Sequence, residues 1–307
     1  MSFGDECEMR AFTSARYTVS LGHHSYPMDK YRLVAEQLVN NQTLSPEELL
    51  EPEAASIDDV LRVHTPEYVH AFINGSLERK AQLRLGLPWS PELVRRAFAV
   101  IGGTYGAACV ALEDGVAANL AGGTHHAFAD HGEGYCIFND HVIVLRRLRV
   151  EGLVQRFLIV DLDVHQGNGT AALCQDDADV FTFSMHSETN YPARKERSSW
   201  DIGLADGTTD EQYLDILTRT LPQILQRFRP DLILYQAGVD VLAGDRFGKL
   251  ALTMRGVGER DRVVCGFACT AGIPLVMTLG GGYARDINQI VEAHCQTIRR
   301  AKDAWSQ

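Results

Sequence analysis

Short apolar runs recur along the chain, separated by polar or glycine-rich stretches. Residues 157–160 read Phe-Leu-Ile-Val, 180–183 Val-Phe-Thr-Phe, 232–235 Leu-Ile-Leu-Tyr and 274–279 Pro-Leu-Val-Met-Thr-Leu, with an earlier run at 116–120. None shows the hydrophobic–polar alternation of a half-exposed strand, so each predicts a strand buried on both faces. Between them lie helix signals. Ser45-Pro46-Glu47-Glu48, Thr65-Pro66 and Ser90-Pro91 each place a capping residue before an N1 proline. The pattern predicts a long helix after Ser90, another over about 210–227 with a kink at Pro222, and a last one after Asp286. Strands alternating with helices define an α/β domain of three layers around a mostly parallel sheet. No repeat or linker divides it, so residues 1–307 read as one catalytic-sized domain. Stretches 43–56, 75–90 and 186–209 read as loops.

Every apolar run ends in chemistry-bearing residues. The run at 157–160 leads into Asp161, Asp163 and His165, and that at 180–183 into Ser184, Met185 and His186. The run at 232–235 leads into Asp240, that at 274–279 into Gly280-Gly281-Gly282-Tyr283, and that at 116–120 into Gly122-Gly123-Thr124-His125-His126. Ligands of open α/β sheets sit at the carboxyl ends of strands, so five such ends predict one shared site. In a strand, residues two apart face one way, so Asp163 and His165 can converge on one point. Carboxylate oxygen with imidazole nitrogen is a zinc-type donor set. A single strand-end aspartate usually caps a helix; three ionisable groups after an apolar strand are costly without a cation. Asp240 supplies a third candidate ligand, leaving a tetrahedral metal one open position and no net charge.

His125 and His126 follow a glycine turn and can act as an acid–base pair beside a metal-activated water. Tyr283 puts a phenol where an oxyanion develops. Other motifs carry less. Gly167-Asn168-Gly169 opens a dinucleotide-type glycine pattern, but Asp163 to Gln166 separate it from the strand and carboxylates repel a pyrophosphate. Cys265 and Cys269 read as thiols on one helical face, and His23-His24 as structural or rim residues.

Composition narrows the class. The net charge is −11, with 45% hydrophobic and 22% charged residues, which argues against a nucleic-acid-binding surface and against disorder. No window approaches a membrane span. Residues 1–8 lack the basic start and apolar run of a signal peptide, and seven scattered cysteines read as free thiols; together these predict a cytoplasmic protein.

With these residues in place, the sequence resembles the histone deacetylase family of zinc amidohydrolases. The resemblance rests on Gly122–His126 and the following Ala-Phe-Ala-Asp, on Gly134-Tyr135-Cys136-Ile137-Phe138-Asn139-Asp140, on Asp161-Leu-Asp-Val-His165-Gln-Gly-Asn168-Gly, on Ala237-Gly-Val-Asp240-Val-Leu-Ala-Gly-Asp245 and on Gly280 to Tyr283. The segments run in family order over nearly the whole chain and look most like the class IV branch and its bacterial relatives. The resemblance implies the arginase/deacetylase fold, with Zn2+ (or Fe2+ in the cell) on Asp163, His165 and Asp240. It makes His125 and His126 the acid–base pair, with Asp161 and Asn168 as their partners, and Tyr283 the residue that polarises the amide. Gly134, Tyr135, Tyr191 and Phe247 would line an acyl-lysine channel. A structural K+ would sit on Asp161, Ser184 and the carbonyls of Asp163, His165 and Met185.

The sequence departs from class I members in having Asn168 for an aspartate. The loop aspartate that grips peptide backbone in many members has no match near Leu87-Pro88-Trp89-Ser90. Phe247 stands where polyamine-specific relatives have a glutamate. The expected substrate is acylated lysine in a protein or peptide, the alternatives being a small acylated amine such as an acetylpolyamine, or an idle acyl-lysine-binding scaffold.

Overall fold

The computed structural model describes residues 9–306; the acidic segment 1–8, read above for the lack of a signal peptide, and residue 307 lie outside it. Among the described residues eight strands form one sheet: β1 (Arg10–Phe12), β2 (Leu49–Leu50), β3 (Val116–Asn119), β4 (Phe157–Asp161), β5 (Val180–Ser187), β6 (Trp200–Leu204), β7 (Leu232–Gln236) and β8 (Leu275–Thr278). The order across the sheet is β2-β1-β3-β8-β7-β4-β5-β6, and every pairing is parallel. Ten α-helices among the described residues connect and cover it: α1 (Lys30–Asn40), α2 (Ile57–Leu61), α3 (Pro66–Ile73), α4 (Arg79–Leu85), α5 (Pro91–Asp114), α6 (Asp140–Val150), α7 (Asn168–Cys174), α8 (Asp210–Arg227), α9 (Met254–Ala271) and α10 (Ile287–Trp305).

The central strands are apolar throughout because both faces are covered. Leu158, Val160, Ile233, Tyr235, Leu275 and Met277 pack with α1, α8, α9 and α10. Their neighbours Phe157, Ile159, Leu232, Leu234 and Val276 face the other way, against α5, α6 and α7. A third apolar cluster joins α2, α3 and the start of α5 to Ile137 and Phe138.

The helices after Thr65, Ser90 and Asp286 begin where their caps predict, and α8 runs through Pro222. Ser45 does form a capping box with Glu48, but the turn it starts is a single 3-10 turn, Pro46–Glu48, which passes straight into β2. Three stretches expected to be loops hold regular structure. Residues 75–90 contain α4, built from the helix-favouring series Arg79-Lys-Ala-Gln-Leu-Arg-Leu85. Residues 43–56 and 186–209 contain the edge strands β2 and β6, which are too short or too polar to carry a buried-strand signature. Six cysteines among the described residues are free thiols, and no described helix is long and apolar enough to cross a membrane.

Candidate active site

The site lies beyond the carboxyl ends of β3, β8, β7 and β4, which are neighbours in the sheet although distant in sequence. Asp163, His165 and Asp240 are buried and present ligand atoms that all lie within 4.8 Å of one another. Strand alternation is not what brings them there. β4 ends at Asp161, and the turn that follows closes on itself: Asp161 accepts from the Asp163 amide at 3.2 Å, and Asp163 from the His165 amide at 3.0 Å. The second oxygen of Asp163 accepts from Gly281 N at 2.9 Å, and Asp240 Oδ1 from Val164 N at 2.9 Å. Each candidate ligand carboxylate is thus aimed by a backbone amide of a neighbouring loop. Gly281 is required by space, since a Cβ there would overlap Asp240 Oδ2 and lie 2.7 Å from Asp163 Oδ2.

One atom in this cluster stands out. His165 Nδ1 bonds Asp163 Oδ1 at 3.0 Å, which leaves Asp240 Oδ2, 3.2 Å away, buried and without a hydrogen bond. Burial, reinforced by the charge of Asp163, pushes the Asp240 carboxyl up to about 7. A buried carboxylate oxygen with no donor, beside a second carboxylate and an imidazole nitrogen, fits a divalent cation.

His125 and His126 sit beside the cluster with ring centroids 4.1 Å apart. His125 Nδ1 bonds Asp161 Oδ2 at 2.7 Å, and His126 Nδ1 bonds Asn168 Oδ1 at 2.7 Å. The two partners separate the two rings electrically. Burial opposes a charge on His125, but Asp161 and Asp163 overcome it and raise the imidazole to about 9. Burial, then the charges of His125 and His165, hold His126 well below its ordinary value. Asp161 thus favours a charge on His125, while the surroundings of His126 disfavour one. The turn carrying them is fixed by Asp140, which accepts from Gly123 N at 3.1 Å, Thr124 N at 2.8 Å and the Thr104 hydroxyl at 2.6 Å. The glycines after His165 serve packing rather than phosphate binding: Cβ atoms at Gly167 and Gly169 would strike Asp161 and the backbone of Ala127.

Tyr283 is almost fully buried, and its backbone N–H donates to Asp245 at 2.6 Å. Burial raises its hydroxyl well above the usual value, so it stays a donor. From His126, His165 and Tyr283 a cleft of about 480 Å³ leads outward past Gly134, Tyr135, Tyr191 and Phe247. Gly134 is in the left-handed region at φ +55°, and a Cβ there would lie 2.7 Å from the His126 ring. Leu83, Tyr191 and Phe247 are exposed at the mouth; Arg84 and Arg246 join them, and among the described residues no carboxylate lines the cleft.

The structure thus gathers His125, His126, Asp161, Asp163, His165, Asn168, Asp240 and Tyr283 at one point, with Gly134, Tyr135, Tyr191 and Phe247 leading to it. Ser184 pairs with Asp161 across adjacent strands, followed by the buried Met185, and its hydroxyl is 2.9 Å from His186 Nδ1. His24 lies at the rim, its ring 5.8 Å from Tyr135. Sequence reasoning missed several supports. The buried Lys30 donates to Gly280 O at 2.7 Å. The buried Arg260 donates to Gly238 O at 2.6 Å and Leu162 O at 3.3 Å, tying the Asp240 and Asp163 loops together. Asp140 and Asp245 stood inside recognised motifs, but Lys30 and Arg260 lie on helices whose surroundings give no local signal.

A parallel α/β sheet with this chemistry at its carboxyl edge defines a hydrolase of the deacetylase class. The chain belongs to the histone deacetylase family: the profile of the histone deacetylase domain matches residues 24–298. It is 47% identical over 282 residues to an uncharacterised protein of Picosynechococcus, covering 92% of this chain and 94% of that one. It is 30% identical to histone deacetylase 2 of Arabidopsis thaliana, covering 90% of this chain and 74% of that protein. Among solved structures, a histone deacetylase homologue from Aquifex aeolicus superposes with a TM-score of 0.81 at 21% identity, over 96% of this chain and 84% of that one.

Proposed function

We propose that the chain hydrolyses N-acyl-lysine amides with Zn2+ held by Asp163, His165 and Asp240. The observation that carries this is the orphaned, buried Asp240 Oδ2 within the donor cluster, at the foot of a cleft that ends on His126 and Tyr283. A divalent cation bound there would polarise the amide oxygen and acidify a water. The chain's own residues supply the rest. His126, neutral and with Nδ1 engaged by Asn168, accepts the proton of the attacking water and returns it to the departing lysine amine. Tyr283 donates its hydroxyl hydrogen to the amide oxygen as negative charge builds there. His125, charged through Asp161, stabilises the same developing charge. A structural K+ is assigned to Asp161, the Ser184 hydroxyl and the carbonyls of Asp163, His165 and Met185, supported by the pairing of Asp161 with Ser184.

The mouth favours an acyl-lysine over an acylpolyamine, because a polyamine's second cation would meet Arg84, Arg246 and Phe247, with no carboxylate among the described lining residues to receive it. The test is a panel of acetyl-, butyryl- and myristoyl-lysine peptides and acetylputrescine, assayed with and without chelator. Chelator-sensitive release of the acyl group as its carboxylate, leaving a free lysine amine in the peptide, is expected. Chelator-insensitive turnover, turnover of acetylputrescine alone, or no turnover of any substrate refutes the reading.

A further inference from the structure

Glu133 carries no role in the chemistry above, yet it stands directly behind the base. Its side chain is only 14% exposed. Asn168 Nδ2 donates to Glu133 Oε1 at 2.7 Å, while Asn168 Oδ1 faces His126 Nδ1 at 2.7 Å. His131 Nε2 lies 3.7 Å from the other Glu133 oxygen. These partners hold the Glu133 carboxyl below its ordinary value even though burial works the other way.

The consequence follows from donor counting. A side-chain amide is nearly symmetrical in shape, so Asn168 alone could turn either end toward His126. A carboxylate only accepts, so Glu133 demands the NH2 end and leaves the carbonyl for the histidine. A carbonyl also only accepts, so the hydrogen must sit on His126 Nδ1 and the lone pair on Nε2. We infer that Glu133 is a positioning residue for the hydrolysis: acting through Asn168, it fixes the tautomer of His126. This inference rests on the proposed hydrolysis for its kinetic test but not for its spectroscopic one.

The experiment compares the zinc-loaded full chain with Glu133→Gln, Asn168→Asp and the double variant carrying both, using an acetyl-lysine peptide. Glu133→Gln keeps size and an acceptor but loses charge and acceptor-only character. It is expected to lower kcat at least about tenfold with KM within about twofold. Asn168→Asp alone puts two carboxylates in contact and is expected to be as impaired. The double variant exchanges amide and carboxylate along the chain and is expected to recover most of the lost kcat. Unchanged kcat in Glu133→Gln, or no recovery in the double variant, overturns the inference. A second readout uses 15N-histidine-labelled protein, with the His126 signal assigned by its loss in His126→Ala. Wild type should show Nδ1–H alone and Glu133→Gln a mixture of tautomers; one tautomer in both overturns the inference even if the wild type hydrolyses nothing on the panel, an outcome that would sink the substrate reading separately.

Discussion

Arg260 gives the sharpest test of how the site is held. It is fully buried on α9, 2.8 Å from Asp261, and its guanidinium reaches the carbonyls of Gly238 and Leu162. Those carbonyls belong to the two loops that present Asp240 and Asp163. Arg260→Met keeps the apolar stem and removes the charge. Breaking one side of a buried ion pair costs about 3–5 kcal/mol. Here the lower end applies, because Asp261 still accepts from the Tyr235 hydroxyl at 2.5 Å and the Thr297 hydroxyl at 2.6 Å. The Gly238 carbonyl, left without its donor, adds about 1 kcal/mol, for a total near 4 kcal/mol. For a chain of 307 residues that corresponds to a Tm lower by about 6 °C. Adding Asp261→Asn removes the stranded charge and should return part of the loss. Zinc affinity, measured by competition with a chromophoric chelator, should fall about 10–100-fold, as expected when the groups that orient ligands are lost. A stability change under about 1 kcal/mol together with unaltered zinc affinity would show that the loops hold themselves.

Other expectations are more direct. Tyr283→Phe and His126→Ala should each lower kcat by about 100-fold or more while Tm stays within a few degrees; near-normal turnover in either removes that residue from the chemistry. Chelation should abolish activity and lower Tm, with both restored by one equivalent of Zn2+; a melting curve indifferent to chelator would mean the donor cluster holds no metal. Gly134→Ala should depress kcat/KM through the clash with His126 and the cost, roughly 1 kcal/mol, of a left-handed alanine. Asp140 is kept below its ordinary value: burial is outweighed by His141 and by donors from Thr104 and Thr124. Its stabilisation is therefore present above the carboxylate's unfolded pKa and is lost as pH falls through the lowered folded value. Urea midpoints from pH 6 to 3 should decline less steeply in Asp140→Asn than in the wild type; parallel curves would contradict this.

What the sequence disclosed depended on how local the signal was. The runs at 157–160, 232–235 and 274–279 announced central strands because a strand covered on both faces must be apolar at every position. β1, β2 and β6 escaped because two to five residues at the sheet's margin carry no such demand, and pairing with an established neighbour suffices to order them. Asp163 and His165 were expected together for the wrong local reason: the turn after Asp161, with its own side-chain-to-amide bonds, does what strand alternation was expected to do. Glu133 escaped for another reason. Its meaning depends on Asn168, which is far along the chain and reaches it only once α7 has packed behind the histidines.

The order of strands across the sheet also dictates when the protein can work. β3 and β4 follow one another in the chain but are held apart by β8 and β7, which are made last. At roughly 5–20 residues per second, on the order of ten seconds or more of synthesis separates the appearance of His126 from that of Tyr283. A growing chain that has delivered Asp163 and His165 has no Asp240 to complete the donor set and no phenol to close the floor. Such non-local strand insertion is slow compared with helix formation. The donor cluster and the cleft are therefore completed together in a late step, and under the proposed function a truncated or half-folded chain would expose no working site to the acyl groups around it.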